Sequence, residues 1–382
     1  MDSWRKTTAK TAQIAIAALL LLLSIALLST VFYKKATDLD FIGYWTSARL
    51  LRRHANPYGR AAILHAEHTA GGVNTTPIVM RNPPWALFLV APLGFLSLPL
   101  AAFFWLLAMI VAAVASIRLL TAGARPPPVA AYLFAPILYC AMSGQTPLFI
   151  LLGAALFLHF HDRRPWIAGL ALVLAAVKPH LFLLFWPVLL IDCLVNRRFR
   201  ILGGAVAGFA IATALALSFD HHVLADYLIS MRSEHMDLHY MNNLPCTLRF
   251  LFPARPAWVQ ILPALLALPW ACWYYWSRRA AWSWLDHGAF LLCISVLVSP
   301  YSWPCDQVLF LPAILRVCSA HLPKSATAVL VALSALAAVL ILEIPLTSPA
   351  YVWTGPAWLL WVLWARRKVV VPSAGEPVLA SS

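Results

Sequence analysis

The sequence contains few charged residues, since only 11% of its 382 residues are Asp, Glu, Lys or Arg. A soluble globular protein carries about 25% charged residues. Apolar residues make up 62% of the chain, and they stand in long blocks without the alternation of a half-buried strand. The composition therefore excludes an ordinary soluble enzyme and predicts an all-α membrane protein, because lipid-facing backbone must satisfy its own hydrogen bonds.

Several motifs of soluble enzymes are also missing. The chain has no Walker loop and no G-x-G-x-x-G, G-x-S-x-G or H-E-x-x-H pattern, so nucleotide-binding loops, serine esterases and zincins are not supported. Its seven cysteines are scattered, with no C-x-x-C pair. We expect them to be small apolar fillers and expect no cofactor.

The basic excess gives a net charge of +14, but it does not indicate a nucleic-acid partner. Most Lys and Arg residues cluster in short loops between apolar runs, as topology signals do. The clusters predicted to face the cytoplasm are Arg5, Lys6 and Lys10; Arg163 and Arg164; Arg197, Arg198 and Arg200; Arg278 and Arg279; Lys324; and Arg366, Arg367 and Lys368.

The apolar runs predict a polytopic helical bundle. There are thirteen runs, the first at about 11–32, which we interpret as an uncleaved span because no clear A-x-A cleavage site follows it. Both chain ends are predicted to be cytoplasmic, so the number of spans should be even, about 12, with one short run between 84 and 142 re-entrant or merged. Residues 1–368 then form one transmembrane domain, and 369–382 a disordered cytoplasmic tail.

Two hydrophilic segments, 33–82 and 219–256, fall on the predicted extracytoplasmic side. The first breaks the charge rule, because it is basic although it lies outside. It should contain two short helices, at about 40–53 and 58–69, the second started by the turn Asn56-Pro57-Tyr58. In the first helix an apolar stripe opposes a basic face, which is typical of amphipathic helices at the membrane interface. The stripe consists of Phe41, Trp45, Ala48 and Leu51.

Acidic residues are scarce, and Asp40 is the candidate for chemistry among them. It opens the first predicted helix, three residues after Thr37, so the pair fits a capping box. A carboxylate held at a helix start near the bilayer surface could equally take a proton from a hydroxyl group. The two roles are compatible, and Asp38 is the nearby competitor for the second.

Lys178, between two apolar runs and before Pro179, is the candidate cation. A lysine at membrane depth costs about 2.5 to 3.5 kcal/mol on insertion scales, so it usually has a partner. It could snorkel to the surface, or it could bind a phosphate group, with His180 and Arg81 assisting. An ammonium group there would neutralise a leaving phosphate as its bond breaks.

Other polar residues have two interpretations each. Asp306 can cap the helix that follows Pro304 or belong to a site. Gln145 can satisfy the backbone of a broken helix or hydrogen-bond a sugar. Glu234, His235 and His239 stand at helical spacing that can hold a divalent metal, but we expect no metal.

Five segments follow one another in the chain: TDLDFIGYWTSARLLRRHANPY, NPPWALFLVAPLGFLSLPLAAFFWLL, SGQTPLFILLGAALF, RRPWIAGLALVLAAVKPHLFLLFWPVLL and SPYSWPCDQVLFLPA. Together and in this order they resemble glycosyltransferase family 87, whose members are polyprenyl-phosphate-sugar-dependent membrane transferases of the GT-C class and include mannosyltransferases. The resemblance covers about residues 35–315.

The resemblance implies an inverting sugar transfer from a polyprenyl-phosphate donor to a lipid or glycan acceptor, on the extracytoplasmic face of the plasma (inner) membrane. It assigns the general base to Asp40, within a D-F-x-x-Y-W pattern. The substrate-binding set that we take from the residues and the resemblance is Asp38, Tyr44, Arg81, Gln145, Lys178, His180, Tyr301 and Asp306. The chain departs from a typical member at Ala55, where a glycine is expected, and this leaves the acceptor open.

Three other functions compete with this interpretation. A transporter or flippase of lipid-linked saccharides would place paired charges near the membrane midplane, in broken spans. A polymerase or ligase of polysaccharide would share the lipid-phosphate site. A non-catalytic assembly protein would use the segment 33–82 only as a docking surface. The concentration of acids in the predicted loops favours the transferase.

Overall fold

The computed structural model describes residues 40–122, 132–233, 240–320, 322–345 and 348–368. In these segments every regular element is helical and no strand occurs, which confirms the all-α prediction. A helix satisfies its backbone hydrogen bonds within itself, and this is what an apolar environment requires. The predicted first span and the predicted disordered tail lie outside the described residues.

Sixteen α-helices follow one another in these segments. They are α1 (Asp40–Arg52), α2 (Arg60–Thr69), α3 (Leu87–Val90), α4 (Leu98–Leu120), α5 (Ala135–Ser143), α6 (Pro147–Phe160), α7 (Pro165–Ala175), α8 (Phe185–Val195), α9 (Phe199–Phe219), α10 (Val223–Ser233), α11 (Leu244–Phe250), α12 (Ala257–Arg278), α13 (Ala289–Val298), α14 (Leu311–Cys318), α15 (Lys324–Glu343) and α16 (Thr354–Lys368). Short 3-10 helices join them at Pro84–Ala86, Ala91–Phe95, Pro179–Phe182, Arg279–Ala281, Pro304–Phe310 and Pro349–Tyr351, with a π-helical turn at Trp284–Gly288.

Four helical segments are long and apolar enough to cross a membrane, judged by length and composition. They are Leu98–Leu120, Phe199–Phe219, Ala257–Ala281 and Lys324–Glu343. Each of them exposes large apolar side chains, among them Phe104, Val206, Leu265 and Leu336. Exposing so much apolar surface to water is unfavourable in free energy, whereas contact with lipid chains is not. The protein is therefore a multi-pass membrane protein.

Contacts divide the chain into two compact units. The first contains the described parts of 1–111, 141–145 and 211–234, and the second contains those of 112–140, 146–210 and 235–382. The segment that follows the first predicted span, with α1 and α2, thus belongs to the first unit. Residues 141–145, at the end of α5 and just beyond it, belong to the same unit as α1.

Helix α1 of the first unit is buried on nearly all sides. Ten of its 13 residues are buried, including the polar Thr46 and Ser47, whose hydroxyl groups donate to the carbonyl oxygens of Ile42 and Pro57. The helix forms where the sequence predicts it, and the four residues of the predicted stripe are buried. Burial extends to the polar side as well, so the prediction of an amphipathic helix with only one buried face is wrong. Because these hydroxyl groups have hydrogen-bond partners, the polar side of the helix can be buried in the protein as well.

Helix α2 also forms as predicted, and it is tied to the chain that follows by Glu67. The buried Glu67 carboxylate accepts hydrogen bonds from the Ile78 backbone N–H at 2.8 Å and the Asn74 side chain at 3.4 Å. Burial raises the pKa of Glu67, and these two hydrogen bonds only partly offset that effect. Glu67 therefore has a structural role in the segment 33–82.

In the second unit, small residues allow helices α6, α7 and α9 to approach one another closely. A Cβ atom on Gly153 of α6 would lie 2.7 Å from the Ala175 nitrogen of α7, and Gly169 of α7 faces the backbone of α9 at Ile201 in the same way. Such small-residue contacts are typical of helix packing in membranes, where van der Waals contact drives association.

Asp192 is a second structural feature of this unit. The carboxylate, 1% exposed, accepts hydrogen bonds from Tyr275 (2.9 Å), Asn196 (2.7 Å) and the indole of Trp284 (3.0 Å). Its partners come from the end of α8, from α12 and from the π-helical turn. Asp192 therefore joins three elements, and its full set of donors compensates for its burial.

Gly43→Ala tests how tightly α1 packs in the first unit. A methyl group on Gly43 would run into the carbonyl oxygen of Ile78, and overpacking of this kind costs about 1–3 kcal/mol. We expect a lower thermal unfolding midpoint for the purified protein in detergent. Gly59→Ala is the matched control, because its Cβ would lie 3.4 Å from its nearest neighbour. Equal midpoints for both variants would contradict the packing.

Candidate functional site

Asp40 is the first residue of α1, where the helix N-terminus favours a negative charge. Tyr44 lies one turn later on the same face of the helix. The side chain of Gln145 reaches both of them: its Nε2 donates to Asp40 Oδ2, and its Oε1 accepts from the Tyr44 hydroxyl group at 3.3 Å. The structure thus brings together three predicted site residues, of which Gln145 is more than 100 residues away in sequence from the other two.

Gln145 stands in a break between two helices, and Trp105 fixes that break. The chain leaves α5 through Gly144, whose φ of 70° is in the left-handed region that favours glycine. The Trp105 indole donates to the Gly144 carbonyl oxygen at 2.7 Å, and its ring lies 5.7 Å from that of Tyr44 and 6.2 Å from that of Phe41. Trp105 therefore supports both the break and the aromatic side of the site.

Gln145 holds the Asp40 carboxylate at a partly exposed position. Asp40 is neither fully buried nor fully exposed. Gln145 donates to Asp40 Oδ2 and accepts from the Tyr44 hydroxyl group, so Tyr44 is linked to Asp40 through Gln145. These hydrogen bonds orient the carboxylate, and a general base must be oriented toward the group that gives up its proton. Asp38, its competitor, lies outside the described residues, as do Thr37, Glu234, His235 and His239.

Lys178 and Asp306 form a buried ion pair in the second unit. Lys178 Nζ lies 2.8 Å from Asp306 Oδ1, with the two residues 6% and 0% exposed. A snorkelling lysine would be exposed at its end, so that alternative is wrong. The partner that a lysine at membrane depth needs is an acid 128 residues away.

The other oxygen of Asp306 caps a helix. Its Oδ2 accepts from the Trp303 backbone N–H at 2.8 Å, at the start of the 3-10 helix Pro304–Phe310. The predicted capping role of Asp306 is thereby confirmed. The same carboxylate binds Lys178, so it fixes the local backbone and the ammonium group together.

His180 and Tyr301 lie together in the second unit. Their rings contact each other edge to face, with centroids 5.3 Å apart. The His180 Nε2 atom is buried and has no hydrogen-bond partner among the described residues, so it could bind a ligand atom. Arg81 belongs to the first unit and is exposed.

Two residues that hold the structure together, Trp105 and Asp192, were not predicted. Trp105 is one of 17 tryptophans in the chain, and nothing in its local sequence marks it. Asp192 stands inside the apolar run FWPVLLIDCLV, and an isolated acid in such a run is the signal that could have found it.

Comparisons with known proteins give the family. The model of glycosyltransferase family 87 matches residues 81–300, which is more than half of the chain. A search of curated proteins found no match, and a search of solved structures found none. The matched range includes Gln145, Lys178 and His180 and three of the four helical segments that can span a membrane, Leu98–Leu120, Phe199–Phe219 and Ala257–Ala281. The chain therefore belongs to glycosyltransferase family 87 and is a membrane glycosyltransferase.

Proposed function

We propose that this protein transfers a sugar, mannose or another hexose or pentose, from a polyprenyl-phosphate donor to a lipid or glycan acceptor, with inversion. Asp40 is the general base in this proposal. The enzyme is a GT-C-type bundle of about 12 spans, and it acts at the extracytoplasmic face of the plasma membrane. The observation that carries the proposal is the partly exposed Asp40 carboxylate, oriented at a helix start by Gln145.

In the reaction, Asp40 takes the proton from an acceptor hydroxyl group as that oxygen attacks the anomeric carbon of the donor sugar. The new glycosidic bond forms on the face opposite the leaving group, and the bond from carbon to phosphate oxygen breaks. Its electron pair leaves with the polyprenyl phosphate. A phosphate leaving group needs no proton, so one carboxylate suffices where a glycoside hydrolase needs two.

The departing phosphate needs positive charge or hydrogen-bond donors nearby. Lys178 is the proposed ligand, since its ammonium group carries the positive charge and the N–H donors that a phosphate group binds, and Asp306 fixes its position at 2.8 Å. His180 and Tyr301 are proposed as further contacts to the donor, supported by the unpartnered Nε2 atom of His180. The carboxylate of Asp306 reduces the net charge of this centre, so hydrogen bonding contributes more here than charge alone.

Transport of a lipid-linked saccharide is the second candidate, because the buried pair of Lys178 and Asp306 is also what a membrane transporter would use. The two functions differ in their product. A transferase yields a new glycoside, whereas a flippase moves its substrate across the bilayer with no bond broken.

Asp40→Asn tests the base. An amide keeps the shape of the carboxylate but cannot take the proton, and a general base contributes about 10²–10⁴-fold to the rate. We expect kcat for sugar transfer in vesicles to fall by that factor, with insertion and thermal stability preserved. Asp226→Asn, a partly exposed acid of the same unit, is the matched control and should remain active. If Asp40→Asn were fully active and Asp38→Asn were inactive, the general base would be Asp38 and the assignment to Asp40 would be wrong.

Gln145→Leu tests the positioning of that base. Because Gln145 orients the carboxylate and is not itself the proton acceptor, we expect kcat to fall about 10- to 100-fold, in line with a misplaced catalytic group. KM for the donor should change less than about twofold. A raised donor KM with unchanged kcat would instead make Gln145 a sugar ligand, the alternative interpretation of this residue.

A double variant is needed to test the Lys178–Asp306 pair, since either single substitution leaves a buried charged group without its ionic partner. Removing one partner of a buried pair costs about 3–5 kcal/mol, so Lys178→Met and Asp306→Asn should each lower the unfolding midpoint. The combination of both should recover much of that stability. If Lys178 binds the donor phosphate, the recovered double variant still shows a donor KM raised at least about tenfold. A donor KM like that of wild type would leave the pair with a structural role only.

A further inference from the structure

Three arginines, Arg49, Arg52 and Arg53, lie together at the end of α1, and we refer to them as the arginine cluster. They belong to the segment 33–82, whose basic character breaks the charge rule for an outer loop. A helix C-terminus favours positive charge, but that effect does not require three cations. In the described part of the chain no carboxylate pairs with any of the three.

The arginine cluster places like charges close together and leaves one buried N–H donor without an acceptor among the described residues. The pKa of Arg49 is lowered by its partial burial and by the positive charges of Arg52 and Arg53. The Nε–H of Arg52 is buried, with no acceptor among the described residues. Like charges held together and an unsatisfied donor both favour the binding of an anion.

Aromatic rings hold two of the guanidinium groups in place. Arg49 lies over the Trp45 ring, 5.1 Å from its centroid, and Arg52 lies over the Phe95 ring at 5.8 Å. Phe95 is itself 61% exposed. Arginine has the planar donor pair that fits phosphate oxygens, and an exposed apolar ring beside it suits the boundary between headgroups and acyl chains.

Two candidate spans end beside the cluster. The ring of His54, the residue after Arg53, hydrogen-bonds through Nδ1 to the carbonyl oxygen of Phe219 at 2.6 Å, and Phe219 is the last residue of the span α9. Phe95, under Arg52, precedes the first residue of the span α4 by three positions. The ends of membrane spans lie at the level of the lipid headgroups, so the cluster lies there too.

We propose that the arginine cluster binds the phosphate group of an anionic membrane lipid. Arg49 and Arg52 supply the hydrogen bonds and charge, and Phe95 contacts the acyl region of the same lipid. The site is separate from the proposed base, because Arg52 is twelve residues from Asp40, or about 18 Å along the helix axis. The proposal does not depend on which residue is the base, nor on the donor.

The test is lipid binding to the full-length protein, delipidated in detergent and followed by native mass spectrometry. The probes are phosphatidylglycerol and phosphatidylcholine with identical acyl chains. A basic residue near an anionic lipid surface contributes about 1 kcal/mol, so we expect the wild type to prefer phosphatidylglycerol by at least about tenfold. The variant Arg49→Gln/Arg52→Gln/Arg53→Gln should lose that preference.

The control is Arg163→Gln/Arg200→Gln/Arg367→Gln, which removes the same charge at three separate exposed positions and should keep the preference. Two results would overturn the proposal. One is an unchanged preference in the cluster variant, or an equal loss in the control, since the effect would then come from net charge. The other is displacement of phosphatidylglycerol by inorganic phosphate at the same concentration, since the site would then recognise a free anion.

Discussion

The constraint on which the whole structure depends is that backbone N–H and C=O groups in an apolar environment must find partners within the protein. Helices meet it along their length, and the breaks between helices need side chains to meet it. The candidate site residues lie at such breaks: Asp40 opens α1, Gln145 follows α5, Lys178 precedes a 3-10 helix and Asp306 caps one. In so apolar a chain, the same few polar side chains close the breaks and are available for chemistry.

The two charged centres differ in a way that matches different tasks. Asp40 is partly exposed, and Gln145, which also bonds Tyr44, orients its carboxylate. Lys178 and Asp306 compensate each other in a fully buried pair. A base must keep its charge and be reached by a hydroxyl group, whereas a buried pair is rigid and nearly neutral. The first arrangement suits proton transfer, and the second suits the holding of a group by hydrogen bonds.

Sequence reasoning gave the features that depend on local patterns. Apolar blocks predicted membrane helices, turn and cap residues placed the helix at about 40–53 within a residue or two, and the residues after Pro304 predicted a cap. Contacts between distant residues have no such pattern. The pairing of Lys178 with an acid 128 residues later, the contact of Gln145 with Asp40 and the convergence of three elements on Asp192 therefore required the structure. The burial of the polar side of α1 was not predicted, because Thr and Ser in a helix are normally expected at the surface and the sequence does not show that their hydroxyl groups bond to carbonyl oxygens.

The most direct test of the central claim is the product formed by the purified protein from a labelled polyprenyl-phosphate sugar in lipid vesicles, with its anomeric configuration read by NMR. The account predicts a new glycoside of inverted configuration, and none from a nucleotide sugar under the same conditions. A glycoside of retained configuration, or transfer from the nucleotide sugar alone, would contradict it.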